Sequence, residues 1–155
     1  MDELLEEDDA PEPEWQLNVP AEPVTTGLSD GEELDRYTVE AQIGRGGMAE
    51  VWRVRHRILE SRYALKVLLS TTPHMRQRLI AEGRAQARLV HDNIVPVWDV
   101  LDVNGAPGLL MPLISGPSLA ALMEAHTLGP GDAISLFTAI VEGVAFAHDH
   151  GLIHR

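Results

Sequence analysis

Residues 43–68 read IGRGGMAEVWRVRHRILESRYALKVL, and the order of parts in this stretch decides the fold class. Ile43-Gly44-Arg45-Gly46-Gly47-Met48-Ala49-Glu50-Val51 puts a glycine cluster between two segments of strand character. Glycines let backbone N–H groups approach phosphate oxygens closely and permit a tight fold-over, although a glycine-rich hairpin is also an ordinary turn. The residues after the glycines discriminate between nucleotide folds. A dinucleotide-binding loop opens into a helix and meets an acidic residue about 20 positions on, and a P-loop needs GxxxxGK[ST]. Here a strand comes next instead, Lys66 stands where that acid would be, and the P-loop pattern is absent.

Upstream, Tyr37 to Ile43 places apolar residues at every second position, as a half-buried strand requires. Downstream, Glu50–His56 and Tyr63–Leu68 are rich in β-branched and aromatic residues and form two more strands. Lys66, the one lysine beside eleven arginines, shares a strand face with Ala64. A strand lysine is ordinarily a solvated surface residue. Its singularity in an arginine-biased chain favours a specific task, because an ammonium and a guanidinium are not interchangeable.

A helix is expected over 72–89, with Gly83 inside it at a cost of about 1 kcal/mol relative to alanine. Leu79, Glu82, Gln86 and Leu89 recur on one face, so Glu82 is expected on the packed side, where a carboxylate needs a cationic partner. A surface pair with Arg78 is the alternative. Strands over 94–100 and 108–113 come next, joined through Asn104-Gly105, a pair suited to hairpin turns. Ser118 to His126 reads as a short helix with Leu119, Leu122 and Met123 inward. Asp132 is expected to cap a last helix, in which Ile134, Phe137, Val141, Val144 and His148 line one face and Gly151 ends the run.

In this order the pieces resemble the eukaryotic-type (Hanks-type) serine/threonine protein kinases of bacteria. The glycine loop, Ala64-Leu65-Lys66, Glu82 before His91-Asp92-Asn93-Ile94-Val95, the strand Leu109-Leu110-Met111 and the closing His154-Arg155 carry the resemblance over residues 37–155. It implies an α+β fold: a five-stranded antiparallel N-terminal lobe with one helix over 36–111, a hinge at 112–117, and the first helices of a C-terminal lobe over 118–155. It also implies ATP as cofactor and protein hydroxyls of Ser or Thr as substrates. Gly44, Gly46 and Gly47 would cover the phosphates, with Ile43, Arg45, Met48 and Ala49 also in the ATP-binding set. Val51 and Ala64 would pack on the adenine, and Lys66 would hold the α- and β-phosphates and pair with Glu82 in the active arrangement. Met111 resembles the residue that guards the hinge, with Leu113 beside the adenine edge. Ala49 replaces a common third glycine, Pro112 a common acidic hinge residue, and Asp92 a common proline. The family's catalytic aspartate comes directly after His-Arg, and its magnesium-holding Asn and Asp come later. None of the three is among the 155 residues, so this chain alone is expected to be inactive and to lack the Mg²⁺ ligands.

Composition bounds the rest. The net charge of −12 is local: residues 1–35 hold 13 acids and no Lys or Arg, while the remainder balances 11 acids against 12 bases. With four prolines and few large apolar side chains, residues 1–33 are expected to form a disordered acidic leader. The absence of cysteine removes disulfides and thiolate metal sites. No basic patch with interleaved aromatics argues for nucleic acid, and no continuous run nears the roughly 18 apolar residues of a membrane span. A cytoplasmic location is expected, as is poor solubility from the apolar face of the last helix.

Overall fold

The computed structural model describes residues 25–69 and 72–153. Its elements are β1 (Glu33–Leu34), β2 (Tyr37–Arg45), β3 (Ala49–His56), β4 (Arg62–Leu68), α1 (Pro73–Gln86), β5 (Asp99–Val103), β6 (Ala106–Pro112), α2 (Leu119–Glu124) and α3 (Pro130–Asp149). All strand pairs are antiparallel, in the order β1-β2-β3-β4-β6-β5. This is the expected five-stranded sheet with a two-residue edge strand added.

The strand alternation sorts side chains onto two faces. One carries Tyr37, Val39, Trp52, Val54, Leu65, Val67, Leu101, Val103 and Leu110, which form the main core. On the other, α1 packs through Leu79 against Val97 and Leu109, with Leu68 and Met111 at the margin. Asn104 and Gly105 take φ of 50° and 85°, and the Asp102 carboxylate accepts the Gly105 amide at 2.9 Å. The β5–β6 turn is therefore built as its sequence indicates, from the two residues that best tolerate left-handed backbone.

Several expectations need correction. The first strand expected after α1 begins at Asp99 rather than Ile94, since Pro96 lacks an N–H for a ladder. The extended run before it is held otherwise: the Gln86 side chain donates to the Val95 carbonyl at 2.9 Å. Gly129, not Asp132, caps α3, Pro130 opens it, and Asp132 lies in the first turn. There its charge favours the helix dipole without a capping bond. No residue of α2 is buried, so the inward placing of Leu119, Leu122 and Met123 does not hold; six residues offer too little surface to seat a face.

The expectation of disorder over 1–33 fails for its last nine residues. Leu28 and Leu34 are buried in the main core, and the Val39 amide donates to the Glu32 carbonyl at 2.8 Å. The rest of that stretch, 1–24, lies outside the described residues, as do His154 and Arg155.

By length and mean hydropathy α3 matches a membrane-spanning helix, with 6% of the window buried. Two features connect it to the loop between α1 and β5. Gly143 lies so close to Asn93 that an added Cβ would stand 3.1 Å from the Asn93 carbonyl oxygen. The rings of His91, Phe146 and His150 stack in series at 4.8 and 4.2 Å.

Candidate functional site

The glycine cluster is the turn between β2 and β3. Gly44 stands opposite Val51 and Arg45 opposite Glu50, and the Gly46 amide closes the tip on the Ala49 carbonyl at 2.8 Å. Ile43, Arg45, Gly46, Gly47 and Met48 are exposed. A Cβ on Gly47 would meet nothing within 4 Å, which leaves the tip open to a ligand from above.

Below the hairpin, three strands bring the remaining predicted residues together. Val51 on β3 is paired with Lys66 on β4, and Lys66 in turn with Leu109 on β6. Ala64 stands opposite Met111. Directly opposed residues share a face, so Val51, Ala64, Lys66 and Met111 lie on the face that α1 partly covers. Lys66, Met111 and Leu113 are half-buried and Ala64 is buried.

Glu82 is not where the sequence placed it. It is exposed, and among the described residues no ion pair joins it to Lys66 or to Arg78. The side of α1 that meets the sheet runs through Leu79 and Gly83. A Cβ on Gly83 would stand 2.7 Å from Leu109 Cδ2. The glycine that weakens the helix is what lets it approach, and this seating turns Glu82, one residue away, by about 100° around the helix.

Glu50 was not singled out from the sequence, yet it is the one buried charged residue among those described, 2% exposed on the core side of β3. Its Oε2 accepts the Thr26 hydroxyl at 2.6 Å, the Thr26 amide at 3.3 Å and the Trp52 indole N–H at 3.2 Å. Its Oε1 faces Arg45 at 3.6 Å. Burial pushes the carboxyl upward, but the Thr26 and Trp52 donors and Arg45 outweigh it and hold Glu50 below the ordinary carboxylate value. Strand alternation puts Glu50 in phase with Trp52 and Val54, but Thr26 and Arg45, which satisfy its oxygens, come from other segments.

On the opposite side Glu40 is shared by Arg62 at 2.8 Å, Arg53 at 2.9 Å and Arg55 at 3.4 Å. The Arg62 hydrogen bond is the leading cause that holds Glu40 low as well. A carboxyl with a depressed folded pKa stabilises the fold above its unfolded value and loses that contribution as pH falls through the folded one. Unfolding temperature should therefore drop on acidification below about pH 4, and a chain carrying Glu40→Gln and Glu50→Gln should show a shallower acid limb. Equal slopes in a pH series of thermal melts would refute this assignment.

An antiparallel sheet with one helix, α1, on the face opposite its main core, and two further helices after the last strand, is the arrangement of the N-terminal lobe of a protein kinase leading into the next lobe. The chain belongs to the protein kinase domain family, whose model matches residues 37–155. It is 32% identical over 129 residues to the serine/threonine-protein kinase PknH of Mycobacterium tuberculosis, covering 81% of this chain and 21% of that protein. It is 32% identical over 135 residues to PknE of the same species, covering 84% and 24%. The crystal structure of the Mycobacterium tuberculosis PknI kinase domain superposes with a TM-score of 0.69 at 30% identity, over 83% of this chain and 54% of that one. Rad53 in complex with AMP-PNP shares the fold at 20% identity, with a TM-score of 0.68 over 77% of this chain. The chain thus spans about a quarter or less of the curated relatives' length and about half of the PknI kinase domain.

The residues at hand suit a nucleotide better than its metal. The hairpin and the face below it offer glycine backbone, one ammonium and small apolar side chains, the chemistry that phosphates and a base require. Among the described residues, no group of three or more His, Cys, Asp or Glu stands close enough to hold a metal ion by itself.

Proposed function

We propose that this chain forms the ATP-binding part of a protein kinase that transfers the γ-phosphoryl group to Ser or Thr hydroxyls of proteins. One observation carries the reading: Lys66 and Ala64 on β4 stand beside Val51 on β3, beneath an open glycine hairpin, with Met111 at the far edge. The hairpin, with Ile43, Gly44, Arg45, Gly46, Gly47, Met48 and Ala49, covers the phosphates, and Lys66 draws the α- and β-phosphate charge. Val51, Ala64 and Met111 bound the adenine, and the chain leaves β6 at Pro112 toward Leu113 to form the hinge. Glu82 reaches Lys66 only if α1 rotates, an arrangement proposed for the state that transfers phosphoryl.

Protein substrates and a cytoplasmic location complete the proposal. Nucleic acid is not expected as a partner, because the 13 acids of residues 1–35 repel phosphate.

Calorimetric titration with ATP tests the reading. Lys66→Met should weaken binding by about 10- to 100-fold, the worth of a hydrogen bond to a charged group. An affinity that does not depend on Lys66, or no heat with either chain, would sink it. A non-catalytic kinase-like module that binds ATP or a partner is the second reading, favoured by the exposed, unpaired Glu82. It predicts that the full-length protein fails to label a generic basic protein substrate with radioactive ATP.

A further inference from the structure

The short segment Thr26–Leu28 precedes the sheet and is tied to it from both ends. Leu28 is buried in the main core, and Thr26 donates both its hydroxyl and its amide to Glu50 Oε2. The Thr26 hydroxyl is used in both directions, since it also accepts the Leu28 amide at 3.3 Å. Glu50 is thereby fixed on one oxygen by the segment and by Trp52, while its other oxygen faces Arg45. Arg45 belongs to the glycine hairpin and stands in register opposite Glu50 itself.

From this chain of contacts we infer that Thr26–Leu28 is a positioning strap for the glycine-rich hairpin, acting through Glu50 and Arg45. The inference rests on the nucleotide reading of the site only for its consequence, not for the contacts. Among the described residues the tip itself, with Gly46, Gly47 and Met48 exposed, is held by backbone bonds from Gly46 to Ala49 and from Leu69 to the Met48 carbonyl at 3.0 Å. A loop with so few buried contacts opens readily. Nucleotide affinity then falls with the fraction of molecules whose hairpin is in place. Thr26, at the junction with the acidic leader, thus sets how often the phosphate cover is formed. Thr26 is a positioning residue, remote from the phosphates it influences.

Amide hydrogen exchange without nucleotide, on the full chain, tests the strap. Thr26→Val removes the hydroxyl at nearly constant shape and should speed exchange across 44–49 by about 3- to 10-fold, the shift expected from one lost hydrogen bond. Exchange at Leu109–Met111, in the sheet centre, should stay at the parent rate. Thr26→Ser should restore the hairpin rates, and ATP affinity should fall in the valine variant and recover in the serine variant. Unchanged hairpin exchange in Thr26→Val, or an equal acceleration at Leu109–Met111, would overturn the inference. If the hairpin responds while no Lys66-dependent ATP heat is found, the nucleotide reading fails and the strap stands.

Discussion

Leu65→Ala is expected to lower the unfolding free energy by about 2–5 kcal/mol, the range for emptying a buried leucine site. Leu65 is 0% exposed, pairs with Trp52 on one side and Leu110 on the other, and sits between Ala64 and Lys66 in sequence. Against a typical total of about 5–15 kcal/mol, the loss would bring the domain close to its stability limit. The same neighbourhood offers an internal control. A Cβ on Gly108 would stand 2.9 Å from Leu65 Cδ1 and 3.0 Å from Val103 Cγ2, so Gly108→Ala alone overpacks the core by about 1–3 kcal/mol. In the Leu65→Ala background that methyl enters vacated space. Urea unfolding of the two single variants and the double variant should give a favourable coupling of more than about 0.5 kcal/mol. Additive losses would mean that the two sites do not share a cavity.

The second large effect concerns α3. Ile134, Phe137, Val141 and Val144 fall at helical spacing on one face and are between 43% and 69% exposed. Side chains of this kind are each worth about 1.5–3 kcal/mol when buried, so a continuous stripe of four drives two copies together. Light scattering at tens of micromolar should find the chain self-associated. Phe137→Glu with Val141→Glu should shift it to monomer, since each new charge would have to be buried to keep the contact. A parent chain that is already a monodisperse monomer would defeat this prediction. The stripe also explains why α3 satisfies membrane-span criteria: its apolar residues are many, but Asp132 and Glu142 break the run.

The sheet core around Leu65 and the stripe on α3 were unequally legible. Strand alternation over Tyr37 to Ile43 marked β2 as half-buried, because a period of two leaves only two faces. On β4 it also placed Ala64 and Lys66 on one face, whereas Val51 joins them through the register of β3 on β4. The stripe on α3 was legible for the same reason at a period of 3.6. What cannot be read this way is the exposure of a stripe or the seating of a helix, because both depend on a neighbour that lies elsewhere in the chain.

Glu82 and Glu50 show the difference most sharply. By sequence Glu82 shares a face with Leu79 and Gln86, and that much is true of any helix. Whether that face or the adjoining one meets the sheet was decided by the close approach of Gly83 to Leu109, a contact between residues 26 apart in sequence that periodicity does not encode. Glu50 was read only as part of a glycine-loop strand, and a carboxylate alternating with Trp52 and Val54 is no stable arrangement by itself. Its burial became tolerable only when Thr26 and Arg45 arrived from other segments to satisfy its oxygens. The sequence by itself determined the antiparallel lobe, the glycine hairpin and the face bearing Lys66, because local periodicity and turn chemistry suffice for these. Tertiary structure alone decided which acid is buried and which faces solvent, because the desolvation of a charge is settled by partners that only the folded chain brings within hydrogen-bond distance.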